Sequence, residues 1–404
     1  MSQSSSRRQF LTLLGAGALA GSSSLKASPA ATQPTGLARE VLITDVKVYV
    51  MERATFVQVI TNTGASGWGE GDHDNRRLIA EVIHSLCKPV MLGKSPFQSE
   101  YLWNQIYFRG EDAGQSGLLT GALAGVDNAL WDLKGKLLNV PVWQLLGGAG
   151  REKTLVYGSY GRNSGGRKRS PEEMAAAAMA FVDQGFKAVK ARMQIRQLGL
   201  DPYPDDVFQV VKAVRKAIGD DIVLFVDYNN GYTPPRAIMQ TKKLYEHFNI
   251  AGVEEPVTYQ NQSDLAQVVA ACEVPILAGE HVFNRWQARD LMLAGKVDIL
   301  NTDVIKAGGI SENLKMAHFA AALDKPIMVH STRPTLAVAA NLQLTAAISN
   351  AGRFQEYGGR RASMNLHELF ENEVIYEDGY LYTPKGPGLG LLVREEMMEK
   401  HKLN

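Results

Sequence analysis

VKARM at 189–193 and VDYNN at 226–230 put charge where a buried strand ought to carry none. In the first, Lys190 and Arg192 alternate on a short apolar run, and in the second Asp227 ends the run LFVD. Such charges are costly to desolvate unless a cleft uses them. The figure recurs downstream: Glu254 falls in GVEEP, Glu280 ends VPILAGE and Asp303 ends VDILNTD, at successive gaps of 27, 26 and 23 residues after Asp227. Each gap has the length of one strand plus one helix, so each carboxylate arrives at the same end of a repeated βα structure.

The stretches between them agree. From about residue 153, short apolar runs (TLVYGSY, AVKARM, IVLFVDYN, GVEEP, VPILAGE, VDILNTDV, PIMVHS) alternate with helix-length segments, from PEEMAAAAMAFVDQG to ISENLKMAHFAAALD. Continuous apolar strands separated by helices predict a parallel sheet covered by helices. Seven strands, with QEYGG at 355–359 as an eighth, favour closure into a barrel. The fold class expected is therefore α/β, a modified TIM barrel of the (β/α)7β type over residues 151–365.

An α+β capping domain is expected over 38–150. Residues 40–70 read as two strand-like runs, 77–108 and 116–137 as helices, and LLGGAG at 145–150 as a glycine boundary. Gly121, Ala122, Ala124 and Gly125 predict a close helix neighbour for the second helix. The Gly- and Pro-rich segment 366–404 is expected to return across the capping domain. Residues 1–33 read as an export signal, with Arg7 and Arg8 before an apolar run from Phe10 to Ala20 that is too short to span a bilayer. Arg-Arg-Gln-Phe-Leu resembles the twin-arginine signal of folded periplasmic proteins. No other segment predicts a stable membrane span.

Bulk composition narrows the function. Among 404 residues the net charge is +1, which gives no basic footprint for nucleic acid, and two cysteines, Cys87 and Cys272, exclude a cysteine-cluster metal site. Asp227, Glu254 and Glu280, converging in an apolar setting, cannot all stay ionised unless a cation neutralises them. Oxygen-only ligands favour Mg²⁺, with Mn²⁺ as the alternative. Glu255 is expected to point away from Glu254. Asn229, two beyond Asp227, is a candidate for contact with substrate or metal-bound water, or a turn residue.

VKARM, VDYNNGYT, GVEEPV, AGEH, NTDVIKAGG and VHS together resemble, in order and register, the barrel of the enolase superfamily, with its mandelate racemase branch closest. GWGEG and ALWDLKGK extend the resemblance into the capping domain. It implies a small-molecule carboxylate substrate bound through Mg²⁺ on Asp227, Glu254 and Glu280, loss of the α-proton to form an enediolate, and a homo-oligomer. It also implies that Lys190 supplies positive charge and that Glu356, if protonated, donates a hydrogen bond opposite the metal. Asp303 and His330, 27 residues apart, match the family's acid/base dyad. Lys306 is placed near that dyad or in a loop.

Arg192 departs from the pattern. Many members have a lysine there, which serves as the base on the second face of the α-carbon, whereas arginine stays protonated and makes a poor base. A racemase needs competent groups on both faces, and here only His330 is evident. The expectation is a sugar-acid dehydratase acting on an aldonate or aldarate, in which His330 takes the α-proton, donates to the departing β-hydroxyl, or both. A racemase, epimerase or cycloisomerase using Arg192 or Tyr160 is the alternative, and a periplasmic acid-binding protein is the non-enzymatic one. His281 is a candidate for substrate contact. From the polar cap loops HDNRR (73–77) and FRGEDAGQSG (108–117), and from GWGEG, the candidates are Arg76, Arg109 and Trp68.

Overall fold

Period-two alternation in VKVYV and FVQVI builds the first layer. Strands β1 (Ile43–Val50), β2 (Thr55–Thr61) and β3 (Ser66–Gly71) form an antiparallel meander in the computed structural model, which describes residues 41–164, 167–359 and 366–403. The segment read as an export signal lies outside the described residues. The expected helix over 77–108 is two pieces. Helix α1 (Arg76–Val82) runs through a wider turn to Met91, and α2 (Ser99–Gly110) follows a break at Gly93, whose φ of +72° is a glycine conformation.

Helix α3 (Leu118–Leu138) packs on β3 with its small residues and also meets α1 and α2 of the cap. The glycines of GWGEG make this approach possible. A Cβ on Gly69 would lie 2.3 Å from the Gly125 carbonyl oxygen, and one on Gly67 equally close to that of Ala129. The cap core of Val57, Val59, Ile79, Leu123 and Leu130 closes around this contact.

The barrel strands run parallel in chain order: β4 (Lys153–Gly161), β5 (Ala188–Arg192), β6 (Val223–Asp227), β7 (Gly252–Glu254), β8 (Ile276–Ala278) and β9 (Ile299–Leu300). Residues 327–330 take the seventh place, bridging Leu300 and Ala351, with the Met328 and His330 amides donating to Leu300 and Thr302. Strand β10 (Phe354–Tyr357) then pairs parallel with β4 and closes the ring. Helices follow the first seven strands: α4 (Pro171–Val182), α5 (Val207–Ile218), α6 (Pro234–Phe248), α7 (Gln262–Ala271), α8 (Arg285–Leu293), α9 (Gly309–Ala321) and α10 (Leu336–Ala347). This is the expected (β/α)7β barrel.

Inside it, Tyr157, Phe225, Leu277, Met328 and Phe354 form one apolar cluster. Polar groups are thereby confined to the strands' C-terminal ends, under the cap. The tail first adds β11 (Tyr380–Tyr382) antiparallel to β4. It then meets the cap, where the Gly388 amide donates to the Val140 carbonyl and Glu395, in α11 (Glu395–His401), accepts from Gln58 Nε2 at 2.9 Å. Cys87 and Cys272 are both free. Among the described residues no helix is long and apolar enough to cross a membrane.

Candidate active site

Register sets the first row of charges. Arg192 pairs across the ladder with Asp227, and Asp227 with Glu254, so three charged strand ends stand side by side. Lys190, two residues below Arg192 and fully buried, reaches Glu254 Oε2 at 2.5 Å and Glu356 Oε1 at 3.0 Å, and lies over the Tyr157 ring. Burial works against its charge, but Glu254 and Glu356 outweigh it and hold the ammonium well above its ordinary range. Arg192 Nε reaches Asp227 Oδ2 at 3.2 Å, and Asp227 and Glu280 keep its guanidinium protonated despite burial. Neither cation is free to take a proton.

The dyad faces them. His330 Nδ1 lies 2.7 Å from Asp303 Oδ2 and its Nε2 lies 2.8 Å from Glu280 Oε2 and 3.6 Å from Glu356 Oε2. Burial lowers the imidazole's affinity for its proton, yet Glu356, Glu280 and Asp303 together push it up to about 10. Asp303 and Glu280 stay below the usual carboxylate range because His330 and Lys306 overcome their burial. Lys306 is thus close enough to act on both. Glu356 differs from the sequence expectation of a protonated donor. Burial favours protonation, but Lys190 and His330 pull it down to about 2, and its Oε2 accepts from the Ser331 amide at 2.9 Å.

The three carboxylates expected to share a metal stand in one mouth but not in one cluster. Salt bridges draw Glu254 towards Lys190 and Asp227 towards Arg192. Among the described residues, the set at the mouth whose donor atoms all lie within 4.8 Å of one another is Glu255, Glu280 and His281. Glu255 has a φ of +44°, which turns its carboxylate out of the strand line to His281 Nδ1 (2.6 Å) and Asn230 Nδ2 (2.5 Å).

The donor chemistry fits a divalent cation all the same. Among the described residues, six buried carboxylates (Asp227, Glu254, Glu255, Glu280, Asp303 and Glu356) face four cations, Lys190, Arg192, Lys306 and His330, so the acids outnumber the cations by two and cannot all ionise without a further positive charge. Burial, with Asp227, Glu356 and Glu280, pushes Glu254 up to about 8 against the pull of Lys190, and its Oε1 is buried with no hydrogen-bond partner. That is an oxygen-rich site short of positive charge.

The residues proposed for substrate contact fare differently. Asn229, in the left-handed region at φ +48°, accepts from the Gln194 amide at 3.0 Å and donates to Asp227 Oδ2 at 2.9 Å, so it braces the metal-side carboxylate and the β5 loop. His281 stacks on Tyr259 with ring centroids 4.6 Å apart and edges a cavity. Trp68 is buried, packed on Tyr49, and offers no open face. Arg76 donates to the His73 carbonyl and lines an outer groove with Leu78 and Leu403, and Arg109 is exposed at the end of α2. Helix-surface position decides both. Tyr160 points outward onto Phe181, away from the mouth, so it is no partner for His330.

Sequence reasoning passed over Glu70. It lies fully buried at the end of β3, accepts from Thr335 Oγ1 and from the Ala337 amide at 3.0 Å, and lies 3.9 Å from Arg333. Asp127, Asn128 and Trp103 act similarly on the Asp303 side. They bond the Ser311 amide, the Val304 carbonyl and the Gly308 carbonyl at 2.8, 3.3 and 2.8 Å. The only signal was acid inside an apolar pattern (GWGEG, AGVDNALWD), which names no partner.

A closed barrel with its ionisable groups at the C-terminal mouth, beneath a separate cap, defines a class of enzyme. Comparison with known proteins agrees. Residues 37–147 match the mandelate racemase / muconate lactonizing enzyme N-terminal domain, and 173–397 the enolase C-terminal domain-like family. The chain belongs to the enolase superfamily, in its mandelate racemase-like branch. It is 32% identical to D-galactonate dehydratase of Cronobacter sakazakii over 86% of this chain and 90% of that one. It is 29% identical to arabinonate dehydratase of Saccharolobus solfataricus over 85% and 89%. Among solved structures, a mandelate racemase/muconate lactonizing protein from Paracoccus denitrificans complexed with magnesium superimposes with a TM-score of 0.82, at 28% identity, over 90% of this chain and 98% of that one. The 3,6-anhydro-D-galactonate cycloisomerase of Zobellia galactanivorans does so at 0.79, with 29% identity, over 90% and 100%.

Proposed function

We propose that this protein is a Mg²⁺-dependent hydro-lyase that dehydrates a sugar acid to a 2-keto-3-deoxy acid. The observation that carries the reading is the asymmetry of the mouth. Among the described residues, one face offers a proton-exchanging pair, His330 on Asp303, and the other offers Lys190 and Arg192, both pinned as cations by carboxylates. One competent acid/base group suits an elimination better than a two-face proton exchange. Relatives named D-galactonate and arabinonate dehydratase support it.

Asp227, Glu254 and Glu280 would hold the metal. A divalent cation there supplies Lewis acidity to the substrate carboxylate, easing the second negative charge that develops on it. Lys190 places a fixed positive charge beside that carboxylate, and Arg192 clamps it. Asp303 holds Nδ1, so His330 exchanges protons with substrate through Nε2. As Glu280 turns from Nε2, His330 gives its proton to solvent water and, once neutral, takes the one from C2. The C3–O bond then breaks, His330 returns a proton to the departing hydroxide as water, and the enol tautomerises to the ketone.

The test is incubation with Mg²⁺ and a panel of five- and six-carbon aldonic and aldaric acids in D₂O. Keto acid with deuterium at C3 is expected. Deuterium at C2 without keto acid would instead mean racemisation or epimerisation and would overturn the reading, and a cyclised or ring-opened product without loss of water would favour cycloisomerisation. From residues 1–33 we also propose export of the folded protein through a twin-arginine signal, which Arg7→Lys with Arg8→Lys should abolish.

A further inference from the structure

Beside the mouth lies a second space that the proposed chemistry leaves unused. A cavity of about 440 Å³ opens between the loops after β7 and β8, beneath the cap loop that carries Ser116. That volume is ordinary for a small-molecule site. Its inner edge is Glu255 and His281, whose donor atoms lie within 4.8 Å of Glu280, so it joins the reaction centre directly.

Its lining sets polar groups able to meet hydroxyls among apolar side chains such as Val257, Leu265, Val282 and Phe283. Asn230 is 4% exposed, its Nδ2 is held by Glu255, and its Oδ1 is buried without a partner. Such an orphaned acceptor costs about 1–3 kcal/mol unless a donor arrives. The Tyr259 ring stacks on His281 and supplies a flat apolar wall of the kind on which the C–H face of a polyol rests. The position of Ser116 is set, because the neighbouring Gln115 carbonyl accepts from Tyr107 Oη and Asn284 Nδ2, each at 3.2 Å.

Charge restricts the ligand further. None of the described residues lining the cavity is lysine or arginine, while Glu255 and Asp290 are acidic and His281 is already paired with Glu255. A second carboxylate entering here would find no lysine or arginine in the lining, and the arginine beside it, Arg289, already holds Asp290 at 2.7 Å.

We propose that this cavity is the subsite for the distal, uncharged polyol end of the substrate, and that it selects open-chain aldonic acids of five or six carbons over aldaric acids and short hydroxy acids. The inference rests on the dehydratase reading for the placement of the acid end only. It also moves specificity from the cap residues Arg76, Arg109 and Trp68 to the β7 and β8 loops.

Calorimetric titration at saturating Mg²⁺ tests it without reference to turnover. A six-carbon aldonate should bind wild type at least about tenfold more tightly than the aldarate of the same configuration, and than glycerate. Ser116→Trp fills the cavity from a half-exposed cap position and should cut the aldonate-to-glycerate affinity ratio about tenfold. Tyr259→Ala, a milder change at the rim, should cut it about threefold and serves if the first variant folds poorly. Equal affinity for aldonate and aldarate, or a ratio within twofold of wild type in both variants, overturns the proposal. Keto-acid assays on the same samples separate the two readings. The expected binding pattern without keto acid would refute the dehydratase and leave the subsite, while keto acid with an unchanged ratio would do the reverse.

Discussion

Replacing His330 with asparagine removes the group that the proposed reaction uses to exchange protons with C2. The imidazole is held on both sides, 2.7 Å from Asp303 and 2.8 Å from Glu280. General acid/base catalysis is worth about 10²–10⁴ per proton transfer, and His330 is asked for two. Turnover should therefore fall by at least about 10³. Affinity for aldonate should stay within about threefold, because the acid end is held by Lys190, Arg192 and the metal side. Stability changes as well. Asp303, Glu280 and Glu356 lose the cation they share, and removing one partner of a buried ion pair costs about 3–5 kcal/mol. Single-turnover keto-acid formation, calorimetry and urea unfolding of the same preparation measure the three quantities. A rate within about threefold of wild type, in a variant that still binds aldonate, would refute the assignment and transfer the base to another residue.

Further outcomes are expected for the metal and for Glu70. Exhaustive chelation should abolish activity and Mg²⁺ should restore it. Glu280→Gln, which removes the carboxylate common to the expected ligand set and to the Glu255–His281 cluster, should weaken Mg²⁺ binding at least about tenfold by calorimetry; unchanged affinity would place the ion elsewhere. Glu70→Ala should cost about 2–5 kcal/mol in urea unfolding and lower kcat more than it raises KM, since it strands the Thr335 and Ala337 donors and the Arg333 charge. Glu70→Gln keeps an acceptor and should recover more than half of both losses; equal losses in the two variants would mean that charge, not hydrogen bonding, fastens that loop.

Much of this was legible in the chain because a barrel writes its site at regular intervals. The spacing of Asp227, Glu254, Glu280 and Asp303 follows from one strand and one helix per turn of the barrel, and so does the meeting of Asp303 with His330. Period and spacing give which strand end a residue occupies. They do not give the rotamer, and here rotamers turn Glu254 to Lys190 and Asp227 to Arg192 instead of towards a common point. Nor do they give backbone sign. A positive φ turned Glu255 towards His281, and another turned Asn229 onto Asp227. Arg76, Arg109 and Trp68 were chosen because their loops are polar or near the cap motif, but polarity marks a surface without saying which way it faces.

The cap is usually thought of as a lid, yet its buried acids suggest a second duty as a frame. The loop following Asp303 is tied to the cap by Asn128 at Val304, Trp103 at Gly308 and Asp127 at Ser311. The loop following His330 is tied by Glu70 at Thr335 and Ala337. The dyad's members thus sit on adjacent barrel positions whose outgoing chains are each anchored to the same cap unit of β3, α2 and α3, through groups with almost no exposure to water. That unit is itself rigid, because its glycines allow backbone-to-backbone contact that no side chain can cushion. A cap that only covered substrate would need contacts at its rim; contacts this deep are better explained by the need to hold two proton-transferring side chains at hydrogen-bonding distance. Cap and barrel therefore have to be set as one piece before the site can work, and a cap exchanged from a relative should preserve activity only if these four anchoring residues come with it.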